Sequence, residues 1–151
     1  MNASRIGDGA AVTPHTLRVV IEVPRGGFVK RRDDGSIDFV SPLPCPFNYG
    51  SVPGTVSGDG DRLDALVLGP RLAAGVEVLV PVVARVDFVD AGASDPKYVC
   101  SRAPLGRIDA LRVALFFRSY ARLKGALNRL RGKRGPTAYR GMARRDAMVL
   151  S

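Results

Sequence analysis

The chain has 151 residues, 46% of them hydrophobic, which suffices for one domain with a buried core. Its net charge is +9, and no stretch approaches the roughly 20 apolar residues of a membrane-spanning helix, so we expect no membrane partner. Residues 1–16 are polar and contain no apolar signal-like segment, which predicts a cytoplasmic location.

The charge is distributed unevenly along the chain. Residues 107–151 carry 12 of the 23 Lys and Arg residues but only 2 of the 14 Asp and Glu residues. A concentrated basic region is typical of proteins that bind nucleic acid or another polyanion. The predicted organisation is a polar leader at 1–16, a folded domain at 17–131 and a loosely ordered basic tail at 132–151.

Short strand patterns fill the first two thirds of the chain. Residues 17–23 are rich in β-branched side chains, and the turn at 33–36 separates two flanks that are expected to pair as a hairpin. A further strand is predicted at 64–68. Residues 76–89 are long enough for two strands or for one bent strand, with Pro81 at an edge or a bulge.

One long helix is predicted from residue 107 to about residue 131 by apolar side chains at helical spacing. Many short strands followed by one amphipathic helix indicate an α+β fold. We expect a small closed or strongly curved β-barrel, OB-like with about five strands, against which the helix packs. The predicted apolar face of the helix consists of Ile108, Leu111, Leu115, Tyr120, Leu123, Leu127 and Leu130.

Three carboxylates lie close together before the predicted strand at 64–68, on Asp59, Asp61 and Asp64. Mg²⁺ prefers oxygen ligands and keeps several waters, so separated carboxylates suit a site that substrate phosphates complete. A calcium-binding EF-hand loop is excluded, because it requires an acidic or amide residue and then glycine where Leu63 and Asp64 stand. On these residues alone, a solvated acidic turn explains the pattern as well as a metal site does.

Residues 59–65 resemble the signature of the soluble (family I) inorganic pyrophosphatases, from which Arg62 departs. Four more segments resemble that family in the same order, over about residues 17–125. Agreement in both order and spacing is much harder to attribute to coincidence than one motif. These segments are Ile21-Glu22-Val23-Pro24 with Lys30, Asn48-Tyr49-Gly50 with Pro53-Gly54-Thr55, the stretch from Asp90 to Lys97, and Phe116-Phe117-Arg118-Ser119-Tyr120.

The resemblance implies hydrolysis of inorganic pyrophosphate to two orthophosphates by a metal-activated water. It implies several Mg²⁺ ions, for which Mn²⁺, Zn²⁺ or Co²⁺ can substitute. By resemblance, Asp64 bridges two ions, and Asp59 and Asp95 complete the first pair. Asp90 would hold a further ion, and Glu22 would bind metal through water.

The same resemblance implies roles for the remaining site residues. Asp61 would help to deprotonate the attacking water. Positive charge and hydroxyl donors are needed where charge develops on the leaving phosphate. The residues that match this phosphate side are Lys30, Lys97, Tyr49 and Tyr120. Bacterial members of the family are commonly hexamers, so a homo-oligomer is expected.

The sequence departs from the family at several positions of the phosphate-binding set. Arg32 stands where the family has a glutamate, Cys45 replaces a tyrosine, and Ala121 replaces a lysine. The segment before Asn48 is shortened and lacks a matching arginine. Two alternatives therefore stay open. One is a degenerate relative that binds nucleic acid or another polyanion through its basic C-terminal third, and the other is a hydrolase of a larger diphosphate.

Overall fold

The structure of the chain is a computed structural model that describes residues 15–31, 34–41, 43–56 and 60–145. Residues 1–14 of the predicted leader, and with them any test of that segment, lie outside the described residues. Asp59 and Arg32, two positions singled out by the sequence, also lie outside them.

The described residues form nine strands and one helix. In chain order they are β1 (Thr16–Val23), β2 (Val29–Arg31), β3 (Ile37–Val40), β4 (Asn48–Val52), β5 (Leu63–Val67), β6 (Glu77–Asp90), β7 (Ala93–Ser94), β8 (Lys97–Cys100), α1 (Arg107–Leu130) and β9 (Ala138–Arg144). The predicted hairpin is the pair β2 and β3, and the region predicted as two strands or one bent strand is the single strand β6.

Five of these strands form a closed ring. β1 pairs antiparallel with β4, β4 antiparallel with β5, β5 parallel with β8, and β8 antiparallel with β6. β6 then pairs with β1, from Thr16 opposite Pro81 to Val20 opposite Glu77, which closes the ring. The predicted small barrel with a long C-terminal helix packed against it is confirmed.

Apolar side chains alternate along the ring strands, as the two-residue period of a strand requires. On β6, Val80 and Val82 pack in one cluster with residues of β1, whereas Ala84 and Val86 pack in a second cluster with α1. All four would lie on one face of a regular strand. In the pairing with β8, the register shifts by one residue between Val82 and Ala84. The extra residue in β6 turns the side chains that follow it to the other face of the sheet.

The helix packs on the ring through a different face from the predicted one. Its buried residues are Val113, Phe117, Ala121 and Asn128. The Phe117 ring lies 6.0 Å from that of Phe47 and 5.9 Å from that of Phe88, measured between centroids. The helix therefore carries two apolar faces, and the one with aromatic and small side chains fits the aromatic rings of the barrel. Five predicted face residues are instead 41% to 84% exposed, namely Ile108, Leu111, Leu115, Leu123 and Leu130.

The segment after the helix also differs from the sequence-based expectation. Residues 132–151 were expected to be a loosely ordered tail, but β9 pairs antiparallel with β6 from Val89 opposite Ala138 to Ala84 opposite Arg144. Tyr139 and Met142 pack against the cluster that contains α1. Arg140 and Arg144 are exposed within β9, so the basic composition of this segment is compatible with an ordered strand. The described helix is not long and apolar enough to cross a membrane.

The close approach of β1 and β4 depends on Gly50. A Cβ atom at this position would overlap the carbonyl oxygen of Val20 and lie 2.9 Å from Cγ1 of Val19. Gly50→Ala should lower the free energy of unfolding by about 3 kcal/mol, because the overlapping atom is backbone and cannot move aside.

The matched control is Gly125→Ala, in the middle of α1. There the added methyl group would meet Thr137 at 3.7 Å, an ordinary packing distance. This variant should gain about 0.5–1 kcal/mol from the lower backbone entropy of alanine. Urea unfolding of both proteins measures the difference. Equal effects of the two substitutions would contradict the tight β1–β4 approach.

Candidate functional site

One pocket collects most of the residues that the sequence singled out. It has a volume of about 320 Å³ and lies between the ring and α1. Glu22 is not among the lining residues, but its carboxylate is 3.1 Å from the ammonium group of Lys30, which does line the pocket. The predicted site residues that line the pocket are Lys30, Tyr49, Asp61, Asp64, Asp90, Asp95, Lys97 and Tyr120.

The centre of the pocket is a lysine held between two carboxylates. Nζ of Lys97 donates hydrogen bonds of 2.6 Å to Oδ2 of Asp64 and 2.6 Å to Oδ2 of Asp95. Parallel pairing of β5 with β8 sets Asp64 directly opposite Lys97. Asp95 lies just before β8, where its backbone N–H donates to the carbonyl oxygen of Phe88. The register of the sheet thus brings together residues that are 33 positions apart.

Lys97 is only 4% exposed, yet its side chain remains an ammonium group. Burial alone would lower the pKa of Lys97, but Tyr49 and the carboxylates of Asp64 and Asp95 outweigh burial and hold this pKa well above its ordinary value. A fixed positive charge therefore lies between the two acidic groups. This charge permits two carboxylates to be buried close together.

Two tyrosines present hydroxyl groups to the same space. Burial, together with the negative charge of Asp64, raises the pKa of Tyr49 well above its ordinary value. Burial likewise raises the pKa of Tyr120. Both phenols therefore keep their protons at neutral pH and can donate hydrogen bonds to an anion.

Cys45 occupies part of the pocket wall, at the position where the resemblance implies a tyrosine. Burial raises the pKa of the Cys45 thiol to about 12. The thiol is therefore protonated at neutral pH and is not a nucleophile. The substitution removes a hydroxyl donor from the wall.

The acidic groups converge on the pocket without forming a ready coordination sphere. Within the described ranges, no three acidic, His or Cys side chains are gathered so that they could hold a metal ion as they stand. The Lys97 ammonium group separates Asp64 from Asp95, and Asp61 lies at the exposed mouth. The donor set is nevertheless one of hard carboxylate oxygens, which suits Mg²⁺.

Asp90 is fixed by residues that the sequence analysis did not single out. The buried side chain of Asn128 donates 2.8 Å and 2.9 Å hydrogen bonds to Oδ1 of Asp90 and Oγ1 of Thr137. Thr137 also accepts a hydrogen bond from the backbone N–H of Ala91, next to Asp90. The end of α1 and the segment before β9 therefore hold the acidic turn in place.

The sequence analysis also missed three basic residues of the pocket wall, Lys124, Arg131 and Lys133. Lys124 lies four residues after Tyr120, so both side chains point from the same face of α1. Its ammonium nitrogen is 3.8 Å from Oδ2 of Asp90 and 5.9 Å from the centroid of the Tyr120 ring. The four-residue spacing from Tyr120 is the sequence signal that could have identified Lys124.

Comparison with known proteins gives one consistent result. A sequence model of the family described as "Inorganic pyrophosphatase" matches residues 19–137. The chain is 33% identical over 108 residues to the inorganic pyrophosphatase of Gluconobacter oxydans. This alignment covers 66% of this chain and 62% of that protein. It is 37% identical over 115 residues to the inorganic pyrophosphatase of Thermus thermophilus. This alignment covers 71% of this chain and 64% of that relative. The chain thus spans less than two thirds of the length of these relatives.

Solved structures give the same result. The crystal structure of the inorganic pyrophosphatase from Thermus thermophilus matches with a TM-score of 0.68 and 33% identity, over 96% of this chain and 90% of that chain. The one from Neisseria gonorrhoeae matches with a TM-score of 0.70 and 28% identity, over 97% and 91% of the two chains. The structural similarity to these two proteins therefore includes both the ring of strands and the helix.

The Lys97 bridge yields a stability prediction. Lys97→Met leaves two buried carboxylates facing each other, so the metal-free protein should lose about 3–5 kcal/mol of unfolding free energy. Lys30→Met is the matched control, because Lys30 also pairs with an acidic group but its side chain is 30% exposed. It should lose about 1 kcal/mol or less. Urea unfolding in the presence of a chelator measures both, and a smaller loss for Lys97→Met than for Lys30→Met would refute the bridge.

Proposed function

Because the chain belongs to the inorganic pyrophosphatase family, we propose that it hydrolyses inorganic pyrophosphate to two orthophosphate ions. The single observation that carries this proposal is that four carboxylates, two lysines and two tyrosines singled out by the sequence line one pocket. Acidic groups are needed for metal and water, and cationic and hydroxyl donors are needed for a substrate with four negative charges.

The proposed cofactor is Mg²⁺, with Mn²⁺, Zn²⁺ or Co²⁺ as substitutes. Asp59, Asp64 and Asp95 would hold the first ions, Asp90 a further one, and Glu22 would contribute through water. When bound, such ions neutralise phosphate charge and make water a better nucleophile. The carboxylate oxygens of Asp64 and Asp95 already share one cation, the Lys97 ammonium group, which supports their use as cation ligands.

The protein's own groups divide the remaining work. Asp61 lies at the mouth of the pocket and would take the proton of the attacking water on its carboxylate. Lys97 and Lys30 would bind phosphate oxygens through their ammonium groups, which supply charge-assisted hydrogen bonds. The protonated hydroxyl groups of Tyr49 and Tyr120 would donate to oxygens of the same anion. The charge that develops on the leaving phosphate is thereby met by donors that are already in position.

The two alternatives receive less support. Nucleic-acid binding rested on the basic C-terminal third, of which three residues, Lys124, Arg131 and Lys133, line the same pocket as the acidic groups. Hydrolysis of a larger diphosphate would need the same acidic centre. Such a substrate would differ from pyrophosphate only by an additional group at the mouth of the pocket. The cytoplasmic location that the sequence predicts stays a proposal.

We also propose a homo-oligomer that buries the exposed apolar face of α1 against a second copy of the chain. Ile108, Leu111 and Leu115 are 69%, 59% and 51% exposed, and they recur at helical spacing along one side. A contiguous apolar surface of this kind marks an interaction site. The number of subunits, six by resemblance, is part of the same proposal.

The helix face gives a test of assembly. Leu115→Glu should convert the oligomer to a smaller species, because a charge would be buried at the interface. Leu79→Glu is the matched control, since Leu79 is similarly exposed, at 66%, but belongs to β6 and not to the helix. Light scattering after size exclusion measures the mass. A monomeric wild type, or an unchanged mass for Leu115→Glu, would contradict the proposed interface.

The proposed activity is tested by orthophosphate release from pyrophosphate. The wild type should be active with Mg²⁺ and inactive with a chelator. Asp64→Asn should reduce turnover at least about 100-fold, the effect of losing several kcal/mol of charge stabilisation.

The matched control for that test is Asp87→Asn, on the same sheet but in an exposed pair with Arg85. It should keep turnover within a few-fold of wild type. Circular dichroism should show that both variants are folded. No turnover by the wild type with Mg²⁺, Mn²⁺, Zn²⁺ or Co²⁺ would sink the proposed function.

A further inference from the structure

Asp90 lies at the start of a tight turn with an uncommon backbone conformation. Strand β6 ends at Asp90, which pairs with Ala93 of β7, so Ala91 and Gly92 form a two-residue loop. Both loop residues have positive φ values, +48° for Ala91 and +84° for Gly92. Two positive φ angles are typical of a type I′ hairpin turn, whose first central residue is usually Asn, Asp or Gly. An alanine there is strained, and a strained residue persists only where its surroundings fix it.

The segment between α1 and β9 fixes this turn. The backbone N–H of Ala91 donates a 3.1 Å hydrogen bond to Oγ1 of Thr137, and that of Gly92 donates a 2.8 Å hydrogen bond to the carbonyl oxygen of Pro136. Gly135 packs directly on the turn, because a Cβ atom there would lie 2.8 Å from the carbonyl carbon and oxygen of Ala91. Three consecutive residues thus hold the turn in its strained conformation.

Asn128 connects the same segment to the carboxylate of Asp90. It is only 3% exposed, and its Nδ2 donates hydrogen bonds of 2.8 Å to Oδ1 of Asp90 and 2.9 Å to Oγ1 of Thr137. Both N–H bonds of the amide are thereby used. The other carboxylate oxygen, Oδ2, lies 3.8 Å from Nζ of Lys124, which lines the pocket. The bond to Oδ1 therefore fixes the carboxylate with Oδ2 towards the pocket wall.

Asn128 and Thr137 are not among the residues that line the pocket, whereas Asp90 is. They can therefore act on a bound ligand only through Asp90. Residues that hydrogen-bond to a metal ligand fix its orientation, and their loss typically costs about 10–100-fold in metal affinity or activity. An amide donor suits this position, because it holds a carboxylate oxygen without adding a positive charge that would repel a metal ion.

We propose that Asn128 is a positioning residue for Asp90, and that Thr137 orients both Asn128 and the turn at Ala91. The segment between α1 and β9 thereby controls how tightly the pocket holds the metal ion that Asp90 binds. This inference rests on the proposed function for the identity of the ion and of its anionic partner, Mg²⁺ and pyrophosphate. It extends the site to residues that offer no group to the ligand.

The experiment compares Asn128→Ala and Thr137→Val with Val113→Ala. Val113 is buried on the same helix but does not line this pocket, so its truncation weakens the core without touching Asp90. Titration calorimetry measures Mn²⁺ binding in the presence of imidodiphosphate. Asn128→Ala should weaken Mn²⁺ binding about tenfold or more. Thr137→Val, which loses one acceptor, should weaken it about threefold. Thr137→Ser, which keeps the hydroxyl group, and Val113→Ala should both retain wild-type affinity.

A double-mutant cycle shows whether Asn128 acts through Asp90. In an Asp90→Asn background, Asn128→Ala should change Mn²⁺ affinity by less than about twofold, because the carboxylate that Asn128 orients is already lost. A merely structural role would lower the stability of the protein and give equal losses of Mn²⁺ affinity in the two backgrounds. Equal losses would therefore overturn the inference.

Turnover is measured separately, so that the inference and the proposed function can fail independently. If the wild type hydrolyses pyrophosphate and Asn128→Ala binds Mn²⁺ as Val113→Ala does, the inference is overturned and the function stands. If the wild type releases no phosphate but Asn128→Ala weakens its Mn²⁺ binding only where Asp90 is intact, the function fails and the inference stands.

Two further outcomes are decided by the same measurements. If the wild type neither turns over nor binds Mn²⁺ with the analogue, both the function and the inference are overturned. Circular dichroism shows which variants are folded. If Asn128→Ala does not fold, Thr137→Val, which leaves the helix unchanged, takes its place in the cycle with Asp90→Asn, and wild-type Mn²⁺ affinity of Thr137→Val then overturns the inference.

Discussion

Two carboxylates that are buried side by side repel each other, and the Lys97 ammonium group is what holds Asp64 and Asp95 together. The bridge exists because β5 and β8 pair in parallel, which sets Asp64 opposite Lys97. The rest of the pocket surrounds this bridge: β4 contributes Tyr49, β6 ends at Asp90, and α1 supplies the wall.

The C-terminal segment is the second constraint on the site. Asn128 and Thr137 fix the turn that begins at Asp90, and β9 ties this segment to the same strand, β6, that ends there. Basic residues that would otherwise be an external surface thereby reach the pocket wall. The acidic residues of the pocket therefore come from the segments that carry the motifs, whereas part of its basic wall comes from the end of α1 and the turn after it.

The sequence predicted the architecture well, because its strands and its helix are encoded locally. The turn before β5, the strand ending at Val23 and the helix from Arg107 each have a clear pattern of residue types. The assignment of individual metal and phosphate roles stays a prediction. Asp59, which the resemblance makes a metal ligand, lies outside the described residues.

The parts that could not be predicted depend on contacts across the chain. The helix has two apolar faces, and only the shape of the barrel, with Phe47 and Phe88, decides that Phe117 is buried and Leu115 exposed. β9 is stabilised by pairing with β6, so its own sequence, rich in Arg, Ala and Gly, gives a weak strand signal. Lys124 and Asn128 belong to the site because the side chains of both approach Asp90. The spacing of residues along the helix does not show this contact.

The most direct measurement is a crystal structure grown with Mn²⁺ and imidodiphosphate, with the ions located by anomalous scattering. The account predicts metal peaks against the carboxylates of Asp64 and Asp95 and a phosphate group within hydrogen-bond distance of Nζ of Lys97. Metal and analogue bound away from this pocket, or a pocket that remains empty at saturating concentrations of both, would contradict it.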